Sequence, residues 1–285
     1  MRSVVLAVIF AGQGSQEKGM GAEVFGYYPG LVQFASDTLG YDLVSLCTEN
    51  PDGLLARTEY TQPALYVVNA LRTFERVHRE DRPADFYLGH SLGEYNALLA
   101  AGVFDFETGL RLVAKRGELM AAASDGGMTA VLNTPAEHLL KIFADDGVDG
   151  VDIAGFNTAS QIVIAATPPV LAVAHACLKR REIRFVRLRV SAPFHSRYME
   201  PARVRFAEFL KRFSFAEPAV PVVSNVTGRP YRPGQVTRML TEQLVTPVRW
   251  TDSVRTLLDG DDGLEFTEIG GSALTHMVQK IRSGV

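Results

Sequence analysis

The chain holds 285 residues, enough for one large domain or a large one carrying a smaller insert. Apolar residues make up 47% and charged residues 21%, and the formal net charge is −3. That composition offers no general attraction for nucleic acid or an anionic membrane. Cys47 and Cys177 lie too far apart for metal-ligand spacing, which argues against a disulfide framework or a zinc site. They read as small buried apolar side chains in a reducing cytoplasm.

The apolar N-terminus resembles a leader, but its run is short and passes into Gly12-Gln13-Gly14-Ser15-Gln16 without a small-residue cleavage pattern. Val4 to Phe10 is therefore expected as a buried parallel strand. No run approaches transmembrane length. Polar helical segments follow to about Asn50. Thr61-Gln62-Pro63 then opens a helix with Ala64, Leu65, Val68 and Leu71 on its apolar face. Asp85 to Leu88 reads as the end of a strand, and Leu92 to Ala101 as a helix.

Between that strand and helix lies Gly89-x-Ser91-x-Gly93, the nucleophile-elbow pattern. A strand that turns abruptly into a helix needs glycines on both sides of the turn, and it leaves the serine hydroxyl exposed in strained backbone. The helix N-terminus beneath offers free N–H groups that suit an oxyanion. Asp105 caps the next helix, which carries Leu110, Leu112, Val113, Leu119 and Met120.

From about Gly127 the pattern changes. Met128 to Leu132 predicts a strand, Pro135 to Asp145 a helix, and Val151 to Phe156 and Gln161 to Ala166 a hairpin. Pro168 to Arg180 predicts a helix and Ile183 to Val190 a further strand. This β-α-β-β-α-β order is the ferredoxin-like split unit. The fold class is thus α/β: an α/β-hydrolase-like large domain with a parallel sheet (residues 1–126 and 191–285) plus a smaller ferredoxin-like βαββαβ domain (127–190). Later elements are a helix from Arg203 to Phe213, a strand from Val220 to Ser224, a helix from Trp250 to Leu258 and a last strand from Leu264 to Ile269.

A serine needs a base to act as a nucleophile near neutral pH. His78, His138 and His175 fall in polar helical stretches and read as surface residues. His90 precedes Ser91 directly, and on a strand its side chain points to the opposite face. His276 has no supporting motif. His195, in Ser191-Ala192-Pro193-Phe194-His195-Ser196, follows a strand in a proline-shaped loop, as active-site loops do; a structural histidine is the other reading. On a helical wheel, Arg111, Lys115 and Glu118 form the solvated stripe, and Arg116 falls about 135° from its centre, among apolar neighbours. Such an arginine needs an anionic partner, either an internal carboxylate or a ligand carboxylate, and the wheel does not separate the two. The basic run from Lys179 to Arg189 reads either as a solvated face or as a docking site for an acidic or phosphate-bearing partner.

Seven stretches carry a family resemblance: Phe10-Ala11-Gly12-Gln13-Gly14-Ser15-Gln16, Thr61-Gln62-Pro63-Ala64, Gly89-His90-Ser91-Leu92-Gly93-Glu94, Arg116-Gly117-Glu118-Leu119-Met120, Ala192-Pro193-Phe194-His195-Ser196, Ser224-Asn225-Val226-Thr227 and Pro247-Val248-Arg249-Trp250. Together they span essentially the whole chain. It resembles the malonyl-CoA:acyl-carrier-protein transacylases, and especially the discrete trans-acting acyltransferases of modular polyketide synthases. Ala11 departs from the family, which often has proline there.

The resemblance implies that Ser91 is acylated, that His195 is its general base, and that the backbone carbonyl at Arg249 orients the histidine. It implies an oxyanion hole from the N–H groups of Gln13 and Leu92, and a carboxylate clamp at Arg116. Gln62 and Asn157 would line the site, and Phe194 would favour malonyl over methylmalonyl. The implied reaction is ping-pong, from malonyl-CoA to the phosphopantetheine thiol of an acyl carrier protein that binds transiently. No permanently bound cofactor or metal, no nucleic-acid or membrane partner, a monomer and a cytoplasmic location are expected. The alternatives are a malonyl transacylase of fatty-acid synthesis, an editing acyl hydrolase of the same fold and a non-catalytic docking module. Arg116 argues against the hydrolase, and intact Ser91 and His195 argue against the module.

Overall fold

Eight strands and the helices between them are seen in the computed structural model, which describes residues 4–80, 82–123 and 125–284. The strands are β1 (Leu6–Phe10), β2 (Phe86–Gly89), β3 (Gly127–Val131), β4 (Asp152–Phe156), β5 (Ile162–Ala166), β6 (Phe185–Arg187), β7 (Val222–Val223) and β8 (Glu265–Ile269). They form two sheets. One is parallel, in the order β7-β2-β1-β8, and the other is antiparallel, in the order β4-β5-β3-β6.

All five residues of β1 are buried, which is why its sequence is apolar without alternation. Phe10 pairs with Gly89 on one side and with Ile269 on the other. The loops that leave β1, β2 and β8 therefore emerge at one end of the sheet. In open parallel sheets that end, beyond the carboxyl ends of the strands, is where ligands bind. The helix Thr58–Arg79 starts three residues before the expected position, so Pro63 lies inside it. It packs along the helix Phe106–Ala121, with the Tyr66 hydroxyl donating to the Phe106 carbonyl at 3.1 Å. Among the described residues, no helix is long and apolar enough to cross a membrane.

The antiparallel sheet carries the helices Ala136–Asp145 and Pro168–Arg180 on one face, around Val131, Leu139, Phe143, Ile164 and Leu178. Its other face supplies Met128, Ala130, Ala154 and Val163 to the main core. The element order and sheet order are those of the split βαβ unit. Two expectations need correction. The last strand is shorter than Ile183 to Val190, although the Leu188 N–H still donates to the Met128 carbonyl at 2.9 Å. His175 is buried rather than on the surface. Its ring stacks on Phe185 at 4.7 Å, and its Nε2 lies 2.8 Å from Thr129 Oγ1. The helices Val236–Glu242 and Ala273–Ser283 were not anticipated.

Candidate active site

The turn after β2 is set by contact rather than by preference. A Cβ on Gly89 would come within 1.9 Å of the Gly93 backbone, and one on Gly93 within 2.1 Å of the Phe10 carbonyl oxygen. The strand and helix approach too closely for any side chain at either place. Ser91 at the tip has φ +53°, in the left-handed region that costs a non-glycine residue about 1–3 kcal/mol. Asn225 offsets that strain. Its Oδ1 accepts from the Ser91 N–H at 2.7 Å, and its Nδ2 donates to the Gly89 carbonyl at 2.6 Å.

Ser91 Oγ lies 2.7 Å from His195 Nε2. His195 also has a positive φ, +59°, and is 5% exposed. Its Nδ1 lies 2.8 Å from the Gln243 carbonyl oxygen. A carbonyl only accepts, so Nδ1 carries the proton and Nε2 presents its lone pair to the serine hydroxyl. Burial first, and then the nearby charge of Arg116, push this imidazole down to about 3, so it is neutral at pH 7. The orienting carbonyl expected at Arg249 is therefore found at Gln243. The Arg249 carbonyl instead accepts from the N–H and Oγ of Ser253, at 2.9 and 2.8 Å, as part of helix Trp250–Leu258. Any residue owns a carbonyl, so no side-chain signature could have pointed to Gln243.

Arg116 is 1% exposed and reaches the same serine. Its Nη2 donates to Ser91 Oγ at 3.1 Å and to Gln243 Oε1 at 3.0 Å, and its Nη1 donates to Gln62 Oε1 at 2.7 Å. The guanidinium lies over the Tyr95 ring, 5.5 Å from its centroid. Its partners are neutral oxygens; among the described residues it makes no carboxylate ion pair, and its Nε has no hydrogen-bond partner. The internal carboxylate that the helical wheel left open is thus not in direct contact. A buried guanidinium held by neutral acceptors keeps its charge available for an arriving anion.

A cavity of about 730 Å³ opens over this group. Gln13, Gly14 and Ser15 line it from the β1 loop, Gly270 to Leu274 from the β8 loop, and Met128, Ala130, Val163 and Leu188 from the antiparallel sheet. Phe194, 5% exposed, forms part of the wall beside His195. Asn157 reaches in from the loop between β4 and β5, with its Oδ1 2.9 Å from His90 Nε2. His90 therefore does not point away from the serine, as strand alternation suggests. The chain has left the strand by then, and His90 lines the same cavity. The Gln13 side chain donates to Thr58 Oγ1 at 3.1 Å. Among the described residues the backbone N–H groups of Gln13 and Leu92 donate no hydrogen bond.

Residues 7–280 match the family described as acyl transferase domain. The polyketide biosynthesis malonyl CoA-acyl carrier protein transacylase BaeC of Bacillus velezensis is 43% identical over 282 residues, which cover 98% of this chain and 97% of BaeC. The polyketide biosynthesis protein ThaF of Burkholderia thailandensis is 49% identical over 278 residues; the match covers 96% of this chain but 24% of ThaF. The chain thus spans about a quarter of that longer relative. The crystal structure of a malonyl CoA-acyl carrier protein transacylase from Burkholderia pseudomallei superposes with a TM-score of 0.96 at 45% identity, covering 99% of both chains. A further neighbour, with a TM-score of 0.86 and 29% identity over 97% of this chain and 99% of its own, is a malonyl-transacylase in complex with a type II polyketide synthase acyl-carrier protein. The chain belongs to the acyl transferase domain family and, within it, to the malonyl-CoA:acyl-carrier-protein transacylases.

Proposed function

We propose that this chain moves a malonyl group from malonyl-CoA to the phosphopantetheine thiol of an acyl carrier protein, acting in trans in polyketide assembly. The observation that carries this reading is the buried Arg116 guanidinium, 3.1 Å from Ser91 Oγ and without an ion-paired carboxylate among the described residues. A neutral acyl donor has no use for that charge. A donor whose acyl group ends in a free carboxylate does, and a charge-assisted, bidentate pair would fix the reacting carbonyl over the serine. Polyketide rather than fatty-acid supply is favoured by the relatives BaeC and ThaF, both named for polyketide biosynthesis.

In this mechanism Ser91 Oγ attacks the thioester carbonyl while His195 Nε2 takes the hydroxyl proton. The Oγ–C bond forms, and the oxyanion is met by the N–H groups of Leu92 and Gln13. Collapse breaks the C–S bond, and the departing CoA sulfur takes the proton from Nε2. In the second half the carrier thiol gives its proton to Nε2 and attacks the malonyl-serine ester. Ser91 Oγ leaves and recovers its proton. The Gln243 carbonyl keeps Nδ1 protonated throughout. In this reading residues 1–126 and 191–285 form the catalytic domain and 127–190 the smaller one. The free, buried Cys47 and Cys177 are in keeping with a reducing cytoplasm.

The test is intact-mass spectrometry after mixing the protein with malonyl-CoA and, separately, acetyl-CoA, followed by addition of a phosphopantetheinylated carrier protein. A malonyl adduct that transfers to the carrier supports the reading. Adduct formation with acetyl-CoA alone, or release of the acyl group to water with no transfer, would overturn it.

A further inference from the structure

Glu94 lies one turn beyond the nucleophile and is fully buried, yet it touches neither Ser91 Oγ nor the cavity. Its carboxylate accepts from the Tyr231 hydroxyl at 2.5 Å, from the Asn225 N–H at 3.3 Å to each oxygen, and from Gln243 Nε2. Burial pushes the Glu94 carboxyl up to about 7, while all these partners are donors, so the ionised form that prevails above that pH is the one they satisfy.

The consequence falls on Gln243, itself 1% exposed. A glutamine amide has a donating end and an accepting end, and its surroundings decide which way round it lies. Here Nε2 faces two acceptors, the Glu94 carboxylate and the Ser91 carbonyl at 3.0 Å. Oε1 is thereby turned to Arg116 Nη2 at 3.0 Å. Were the amide reversed, its NH₂ would face the guanidinium donors, and its oxygen would face a carboxylate and a carbonyl. The carboxylate forbids that arrangement. Gln243 and Gln62 hold the two ends of the guanidinium, and a tilt of either changes where its charge points.

We infer that Glu94 is a positioning residue that locks the Gln243 amide and, through it, aims Arg116, so that preference for a dicarboxylic acyl donor depends on a side chain that meets no substrate. This rests on the reading of Arg116 as the carboxylate clamp.

The experiment uses the full-length protein and measures kcat and KM for malonyl-CoA and acetyl-CoA, with acyl carrier protein as acceptor. In Glu94→Gln a neutral amide that can donate as well as accept replaces the carboxylate, and reversal of the Gln243 amide is no longer forbidden. The malonyl-to-acetyl ratio of kcat/KM is expected to fall by about tenfold or more, mainly through the malonyl KM. Adding Gln243→Met to Glu94→Gln should lower the ratio no further than Gln243→Met alone, because the carboxylate acts through the amide. An unchanged ratio in Glu94→Gln, or equal losses for both donors, overturns the inference, since a merely structural glutamate would slow both alike. Should Glu94→Gln fail to fold, Gln243→Met is read the same way, and a preserved ratio there overturns it. Arg116→Ala in the same assay separates the two layers. A ratio preserved in Arg116→Ala defeats the clamp and this inference with it. A ratio lost in Arg116→Ala but kept in Glu94→Gln defeats this inference alone.

Discussion

The two sheets contribute to one cavity in different ways. The loops of the parallel sheet and the segment that leaves β6 toward it supply a strained, hydrogen-bonded interior: Ser91 and His195 both at positive φ, braced by Asn225 and Gln243 and flanked by buried Arg116 and Glu94. The antiparallel sheet supplies a wall of apolar side chains, Met128, Ala130, Val163 and Leu188, together with Asn157. Its outer edge is basic. Arg180 and Arg181 pair with Asp146, whereas Arg184, Arg187 and Arg189 are exposed with no ion pair among the described residues. Reactivity is concentrated where a polar network over-determines strained geometry. The apolar wall and basic edge are suited to accommodating what arrives.

Changes on the parallel side should therefore abolish or redirect chemistry. Ser91→Ala should remove the malonyl adduct altogether while leaving the melting temperature close to that of the parent protein, because the hydroxyl packs little apolar surface. An adduct of normal yield on the alanine variant would defeat the nucleophile assignment and the contrast built on it.

Next in size is Arg116→Ala. Leaving a substrate carboxylate without its desolvated partner costs about 2–5 kcal/mol, on the order of 30- to 4,000-fold in malonyl transfer. Acetyl transfer should fall far less. The same variant changes a pH profile in a defined direction. The Arg116 charge disfavours the imidazolium of His195, so its removal raises that pKa from about 3 toward the ordinary histidine value. The acid limb of acetyl kcat/KM should move to higher pH. Equal losses for both donors with a lowered melting temperature would instead mark Arg116 as structural.

On the wall, Phe194→Ala should relax the discrimination between malonyl-CoA and methylmalonyl-CoA. One methyl group in an apolar pocket is worth about 1–3 kcal/mol, so the ratio of their kcat/KM values should change by roughly 10- to 200-fold at most. An unaltered ratio would show that this part of the wall does not touch the α-carbon. The smallest effect is expected at the basic edge. Arg187→Glu should raise KM for the carrier protein a few-fold, more at low salt than at high, with the rate of acylation by malonyl-CoA unchanged. A higher KM for malonyl-CoA would redirect the edge to the phosphates of CoA, and no change in either would leave it a solvated face.

Much of the catalytic frame could be read from the chain before any coordinates, because its causes are local. Gly89 and Gly93 announce the elbow since a strand and a helix that meet so closely leave no room for a Cβ. The order of short strands and helices between Gly127 and Arg187 identifies the small unit because side-chain period and turn chemistry act over a few residues. Helical periodicity alone placed Arg116 off the solvated stripe, and it is buried. Tertiary structure decided the rest. His175 looks polar and helical in sequence, but Thr129 and Phe185 on neighbouring strands bury it. The histidine-orienting carbonyl lies at Gln243 rather than Arg249, because main-chain acceptors are alike in every residue and only the path of the chain selects one. Glu94 meets Asn225 and Gln243 across 131 and 149 residues of sequence. Such a pairing leaves no local pattern, because it arises only when the two halves of the chain close over the elbow.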